Sequence, residues 1–499
     1  MPITRSLVRL LDAVAPSFAR RLRTIWLNLN GVPLETLGGV LRQQMYAHQD
    51  HFDGRLNYAE AKLEDLRTEL RALIERGARQ TFKGGADPSF AIADSLARLE
   101  ARRAAQPRPI AVVSVLPPAE TGIANHTLRT FEASPVPVDV FAPLDGAAAY
   151  LAASRRLPAP GGPLAVFALE AFSAALALRD YAAVVWVLGN STHHLPVIRL
   201  LRETRHLPPL APTWVQLHDP VLFNLARFHA EEMDSDLATL LRGVLRGDLP
   251  GAEWKLVARG DIRSVIDHPG LPLRALLAGV PLHGVIFHSR AARDLVRPDW
   301  PELEGLAQLL LYLPVMEPFR PRPWTPGPAP RLGTFGYPAA SKGTDLVIEA
   351  FRRLRATRPA ARLVIAGFNA ARYAAEHGLD AETGVEVHDT PPMPRLVELM
   401  RGVDVALQLR ARNTGESSGI VPQLLSLDVP TVATAIGAFA EYGEAVRALP
   451  LGSEPEALLA AALEEAATPA RRSDARRRYV ETHGPDDFCA ALLAATPAG

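Results

Sequence analysis

Apolar positions along the chain follow two rhythms. From residue 109 onward, short runs rich in valine, isoleucine and leucine recur. They are PIAVVSVL (109–116), AAVVWVLG (182–189), PTWVQLHD (212–219) and GVIFHS (284–289), each bounded by proline, glycine or polar residues. Such runs read as strands buried on both faces. Helical segments lie between them, and strand–helix alternation predicts a parallel sheet covered on both sides. The alternation restarts after residue 331 with RLGTFGY, ARLVIAG, GVEVHD, VDVALQL and VPTVAT. Between the two halves, residues 318–331 hold six prolines in fourteen positions. That stretch cannot continue a helix or a central strand and reads as a stiff linker. The pattern therefore predicts an α/β protein of two doubly wound, Rossmann-like domains facing a cleft, with ligands at the carboxyl ends of the strands.

The first 105 residues carry the second rhythm. Leu63, Leu66, Leu70 and Leu73 recur at spacings of three and four within a segment rich in Leu, Ala, Glu and Arg. One helical face is thus apolar, which fits either a short coiled-coil arm or a helical cap on the main body. KGGADPS (83–89) reads as a break in or after this arm. The segment 17–29, SFARRLRTIWLNL, mixes basic and apolar residues at helical spacing. It suits either an ordinary packed helix or contact with an anionic membrane surface. The boundaries expected from these readings are an extension at 1–105, a first domain at 106–317, the linker at 318–331, a second domain at 332–474 and a terminal helical segment at 475–499.

Composition narrows the classes. The chain has 499 residues, enough for about three domains and a core that needs no staples. Its 54 basic and 54 acidic residues cancel to a formal charge of zero, which gives no support for a nucleic-acid partner. The single cysteine, Cys489, rules out an intrachain disulfide and a CxxC metal site. It fits a reducing compartment. No apolar run approaches the roughly 18–20 residues of a membrane span, and arginines interrupt the N-terminus too often for a good signal peptide. Only Lys62, Lys83, Lys255 and Lys342 are lysine among the 54 basic residues, so each lysine draws attention.

Four polar motifs sit where strands end. Gly122, in PPAETGIANHTLRTF (117–131), follows the first strand and opens a helix, a turn that lets backbone approach a ligand or serves simply as a βα loop. GNSTHH (189–194) and LHDPVL (217–222) bring Asn190, His193, His194, His218 and Asp219 just past two strands. Their side chains can hydrogen-bond sugar hydroxyls or can be structural. No HExxH spacing or thiol cluster accompanies them, so no metal is expected. Lys342 lies between a strand and a helix, where a compact cation can reach a diphosphate. In LRARNTGESSGIVPQLL (409–425), Gly415, Ser417, Ser418 and Gly419 form a small-residue turn that reads as an anion nest or as an N-capped helix. Arg410 or Arg412 supplies charge there, and Glu416 suits hydrogen bonds from a sugar or a ribose.

The order of these motifs resembles the retaining nucleotide-sugar glycosyltransferases of family 4, which have the GT-B fold. The resemblance rests on GIANHT (122–127), GNSTHH, LHDPVL, IFHS (286–289), SKGTDLVIEAF (341–351), ARLVIAG, LRARNTGESSG (409–419) and DVPTVATAIGAFAE (428–441), and covers about residues 109–490. It implies transfer of a hexose-type sugar, with retention, from a nucleotide-diphosphate sugar to a glycan, a lipid-linked molecule or a protein. No separate cofactor or metal is implied. Lys342 would contact the leaving diphosphate, Glu416–Gly419 the phosphate and sugar, His388 the region of the base, and His218 the reacting sugar. Gly122 would let the first domain approach the donor, with Asn125, His126, Asn190, His193, His194 and Asp219 toward the sugar or acceptor. The final helix would cross back to the first domain.

Two positions depart from the family pattern. Tyr337 stands where a basic residue is usual, leaving Arg410 to supply charge. Leu424 stands where a second glutamate is common, with Gln423 adjacent as a partial substitute. The resemblance suggests a role in bacterial surface polysaccharide or glycoconjugate synthesis. It also suggests a cytoplasmic location, with peripheral membrane contact or self-association through the N-terminal helices left open. A sugar-nucleotide epimerase of the same fold and a non-catalytic sugar-nucleotide-binding scaffold are the alternatives.

Overall fold

The structure is a computed structural model. It describes residues 88–496 apart from 103–106, 120, 145, 157–163, 206–209, 246–267, 324–328 and 380. The leucine repeat at 63–73, the break at 83–87 and the basic segment at 17–29 lie outside the described residues.

Strands β1 (Ile110–Val113), β2 (Val138–Ala142), β3 (Leu164–Ala168), β4 (Ala183–Leu188), β5 (Thr213–Leu217), β6 (Gly284–Phe287) and β7 (Ala307–Leu310) form one parallel sheet in the order β3-β2-β1-β4-β5-β6-β7. Strands β8 (Arg331–Phe335), β9 (Arg362–Gly367), β10 (Val385–Asp389), β11 (Val405–Gln408), β12 (Thr431–Thr434) and β13 (Arg447–Leu449) form a second, in the order β10-β9-β8-β11-β12-β13. Both sheets are wound in two directions from their first strand. The winding reverses between β1 and β4 and between β8 and β11, which is where open parallel sheets leave a crevice for ligands.

Alternation along the strands explains the layers. In β1, Ala111 and Val113 face one core cluster while Ile110 and Val112 face another. In β9, Leu363 and Ile365 point to one side and Val364 and Ala366 to the other. Each sheet is therefore apolar on both faces, and helices cover both. The short apolar runs in the sequence correspond to β1, β4–β6 and β8–β12. Strands β2, β3, β7 and β13 lie outside those runs, although proline and glycine bound β2 and β3 in the sequence.

Helix α1 (Pro88–Ala101) packs on the first sheet through Ile92, Leu96 and Leu99. Its Ser95 hydroxyl accepts a hydrogen bond from the Ala168 amide at 3.0 Å. This part of the N-terminal region is a cap on the body. The proline-rich stretch, where described, runs along the second sheet, with the Arg320 amide bonded to the Ser426 carbonyl at 2.7 Å.

Near the C-terminus, helices α2 (Ser473–Glu481) and α3 (Pro485–Ala494) tie the two sheets together. Arg476 of α2 is fully buried and donates to Asp428 through Nε at 2.7 Å and to the Pro469 carbonyl at 2.7 Å. Asp428 also accepts from the Ser473 hydroxyl at 2.9 Å. Phe488 of α3 meets Phe131 edge-on, ring centroids 6.1 Å apart, in the core of the first sheet. Burial pushes the Cys489 thiol up to about 12, so this cysteine is an inert core residue. Among the described residues no helix is long and apolar enough to cross a membrane.

The Asp428–Arg476 pair is buried, so removing one member strands the other charge. Arg476→Ala is expected to cost about 3–5 kcal/mol in urea unfolding, and a loss below about 1 kcal/mol would show that the tie is dispensable.

Candidate functional site

The candidate site lies where the carboxyl ends of the two sheets meet. Lys342 sits in the loop after β8, in a short turn that ends at Gly343 before the helix Thr344–Thr357. Glu416 comes from the turn after β11. The Lys342 Nζ donates to Glu416 Oε1 at 3.0 Å. Arg410, at the end of β11, brings a guanidinium nitrogen within 3.6 Å of the same oxygen. Burial alone would raise the pKa of Glu416. Lys342 and Arg410 outweigh it and hold the carboxyl below its ordinary value.

Arg410 is held by contacts of its own. Its side chain is 9% exposed, lies over the Phe439 ring at 4.3 Å from the centroid and donates to the Leu409 carbonyl at 2.9 Å. Its Nε is buried without a partner among the described residues. Arg412, the alternative cation, is exposed.

The first domain approaches this cluster closely. A side-chain carbon at Gly415 would lie 2.3 Å from Pro220, and one at Gly419 would lie 2.7 Å from the His126 Nε2. Both glycines are therefore demanded by contact between the domains, and Gly415 also has a φ of +70°. Across the same gap stands Asp219, whose Oδ2 accepts from the Asn190 amide at 2.9 Å. Burial, then the nearby Glu416 charge, pushes its carboxyl up to about 6, against the pull of the Asn190 amide, Lys342 and Arg410. Glu441 of the second domain locks the neighbouring edge. It accepts from the Arg290 and Ala291 amides at 3.0 and 2.8 Å, at the start of the helix Arg290–Val296, and from the Tyr312 hydroxyl at 3.0 Å.

His218 lies just past β5, beside His288 just past β6. Their ring centroids are 4.6 Å apart, and His126 is 6.3 Å from His218 on another side. Gln216 Nε2 sits 3.2 Å from the Nε2 of each of His218 and His288. Burial lowers His288 and His126 to about 4 and His218 well below its ordinary value, so all three rings are neutral near pH 7.

Several residues expected at the site do other work. The Asn190 Oδ1 accepts from the Asn224 and Leu225 amides at 2.7 and 3.1 Å, so its carboxamide oxygen caps the helix Phe223–Glu232. His194 is fully buried, with Nδ1 3.2 Å from the Ser191 hydroxyl, and burial lowers it to about 3. Its Nε2 is buried without a partner among the described residues. The Ser418 hydroxyl oxygen accepts from the Ile420 and Val421 amides at 3.2 and 3.3 Å, the capping arrangement of the helix Ile420–Ser426. Ser417 keeps a buried hydroxyl with no partner among the described residues.

Tyr337 is exposed and stacks on Phe368, centroids 6.2 Å apart, on the surface of the second domain. Gln423 donates to the Met393 sulfur at 3.4 Å. His388 lies on the edge strand β10 with a buried, unpartnered Nε2. Gly122 opens its helix with open space where a side chain would stand, and Asn125 and His193 are exposed. Among the described residues no group of three or more His, Cys, Asp or Glu side chains is placed to hold a metal ion.

The comparisons with known proteins agree with this architecture. Residues 329–467 match the family model of glycosyl transferases group 1. The second sheet thus lies within the stretch that matches this family model, and the whole has the GT-B fold. Sucrose-phosphate synthase from Thermosynechococcus elongatus superposes with a TM-score of 0.52 at 14% identity, over 77% of this chain and 97% of that one. Anabaena HepE in complex with UDP and glucose follows at a TM-score of 0.48 and 15% identity, over 78% and 100%. The UDP-forming trehalose-phosphate synthase from Burkholderia xenovorans, in complex with glucose-6-phosphate, gives 0.47 and 13%, over 78% and 99%. At 14% identity the likeness to sucrose-phosphate synthase is one of fold. No curated protein matches the chain by sequence.

Asp219 and Glu416 make a titration test of this geometry. The raised Asp219 pKa favours the protonated form in the folded chain. Its contribution is complete below pH 4 and is lost as pH rises through about 6. Asp219→Asn is therefore expected to raise the melting temperature relative to wild type above pH 6, with the gain fading toward pH 4. Glu416→Gln is expected to bring the Asp219 carboxyl signal, followed by carbon NMR, down toward ordinary carboxylate values. An Asp219 titration unmoved by that change would separate the two groups.

Proposed function

We propose that the chain is a retaining glycosyltransferase that moves a hexose-type sugar from a nucleotide-diphosphate sugar to a hydroxyl acceptor. The observation that carries this reading is the Lys342–Glu416–Arg410 cluster at the switch point of the second sheet, in the stretch that matches the glycosyl transferases group 1 model, facing Asp219 of the first domain. A diphosphate needs concentrated positive charge in a site of low dielectric, and Lys342 with Arg410 provides it. Entry of the diphosphate would draw Lys342 from Glu416. The freed carboxylate then accepts hydrogen bonds from the hydroxyls of the sugar.

In the reaction, the bond between the anomeric carbon and the phosphate oxygen breaks, and a bond from the same carbon to the acceptor oxygen forms on the same face. The departing phosphate takes the acceptor's proton. Lys342 and Arg410 offset the charge that grows on the diphosphate, while the sugar passes through an oxocarbenium-like state. His218 offers a hydrogen bond to the reacting sugar. Asp219 orients the acceptor hydroxyl. The acceptor class is a glycan, a lipid-linked molecule or a protein, in bacterial surface polysaccharide or glycoconjugate synthesis at the cytoplasmic side.

A thermal-shift series with GDP, UDP, ADP and dTDP, each with and without sugar, identifies the donor. A nucleotide at 100 times its dissociation constant is expected to stabilise the protein by about 2.7 kcal/mol. Lys342→Ala is expected to abolish most of that response and to lower turnover by about 10²–10³. Inversion at the anomeric carbon of the product, read by NMR, would refute retention. Isomerisation of donor alone would assign an epimerase, and binding without transfer or hydrolysis across an acceptor panel would assign a scaffold.

A further inference from the structure

His218 is reached by a hydrogen-bond chain that begins just past the end of β7. The Leu311 carbonyl lies 2.7 Å from the His288 Nδ1. A carbonyl only accepts, so His288 carries its proton on Nδ1. The ring is 2% exposed and neutral, which leaves a lone pair on Nε2. That lone pair faces the Gln216 amide nitrogen at 3.2 Å. The same nitrogen lies 3.2 Å from the His218 Nε2. A carboxamide nitrogen has two hydrogens, one for each ring.

We infer that Gln216 and His288 are positioning residues that fix the tautomer of His218, leaving its proton on Nδ1 for donation to a bound sugar. The opposite amide orientation would set a carbonyl oxygen against the His288 lone pair. It would be tolerated only if His288 became a cation, which burial opposes. The chosen orientation has a cost, because the Gln216 Oε1 is buried with no partner among the described residues. The arrangement keeps an unpaired carbonyl in order to present two donors to two histidines. Geometry supports the same reading. Leu217 and Phe287 are register partners across β5 and β6, so the next residues, His218 and His288, emerge side by side. Gln216, two residues before His218, points to the same face of the sheet and reaches both.

The inference rests on the transfer reading for its purpose but has its own readout. In the full-length protein, long-range nitrogen–proton correlation NMR of the imidazoles is expected to show His218 and His288 both as Nδ1–H tautomers. Gln216→Glu, which offers only acceptor oxygens, is expected to move the His218 proton to Nε2. Gln216→Met, which removes both donors without adding charge, is expected to lower kcat by about 10–100-fold, by analogy with loss of the orienting partner of a metal-bound histidine, with KM for the donor little changed. An Nε2–H tautomer of His218 in the wild-type spectrum, which needs no variant, would overturn the relay. A wild-type kcat in Gln216→Met would overturn its positioning role. Absence of any donor turnover by the wild-type protein would count against the transfer reading and leave the tautomer result standing.

Discussion

An ammonium and a carboxylate 3.0 Å apart, Lys342 and Glu416, occupy the point where two parallel sheets turn their carboxyl ends toward each other. Much of the site's electrostatics follows from this pair. Lys342 and Arg410 keep Glu416 ionised despite burial, and the ionised Glu416 in turn helps to raise Asp219 on the opposite wall. Both cations are held by contacts within the protein, Lys342 to Glu416 and Arg410 to Glu416, Leu409 and the Phe439 ring. Pairing them with Glu416 avoids a bare, partly desolvated charge. On the proposed assignment, binding of a diphosphate would be an exchange of partners.

Close approach of the domains makes that coupling possible. Gly415 against Pro220 and Gly419 against His126 bring the backbone of one domain to the side chains of the other. Glu441 bridges the neighbouring edge with two backbone amides and a tyrosine hydroxyl. The return of α3 to the first core, through Phe488, limits how the halves can separate. A substitution that adds one carbon at Gly415 or Gly419 would therefore act on charge as well as on packing, by changing the distance between Asp219 and Glu416.

What the sequence reveals here depends on the range of the interaction. Alternation of short apolar runs with helical text is local, and it announces both sheets. Lys342 stands out because lysine is rare in this chain and because the residue falls between a strand and a helix. Asn190 and Ser418 look alike in sequence, each a polar residue after a strand, yet both side chains cap helices. Which polar residues face the cleft depends on the exact turn of each loop, which no pattern encodes. Gln216 and His288 are hidden for a different reason. Their partnership spans 72 positions and exists only once β5 and β6 lie in register. The motif IFHS points at the right place without saying what His288 does. The edge strands β7 and β13 are short and partly exposed, so their patterns are weak.

A crystal structure of the protein with the nucleoside diphosphate that stabilises it most tests the central claim directly. The expected result is a diphosphate against the Lys342 Nζ and the Arg410 guanidinium, with the Lys342–Glu416 contact opened. A nucleotide bound elsewhere, with that ion pair intact at its present distance, would contradict the assignment of this cleft as the donor site.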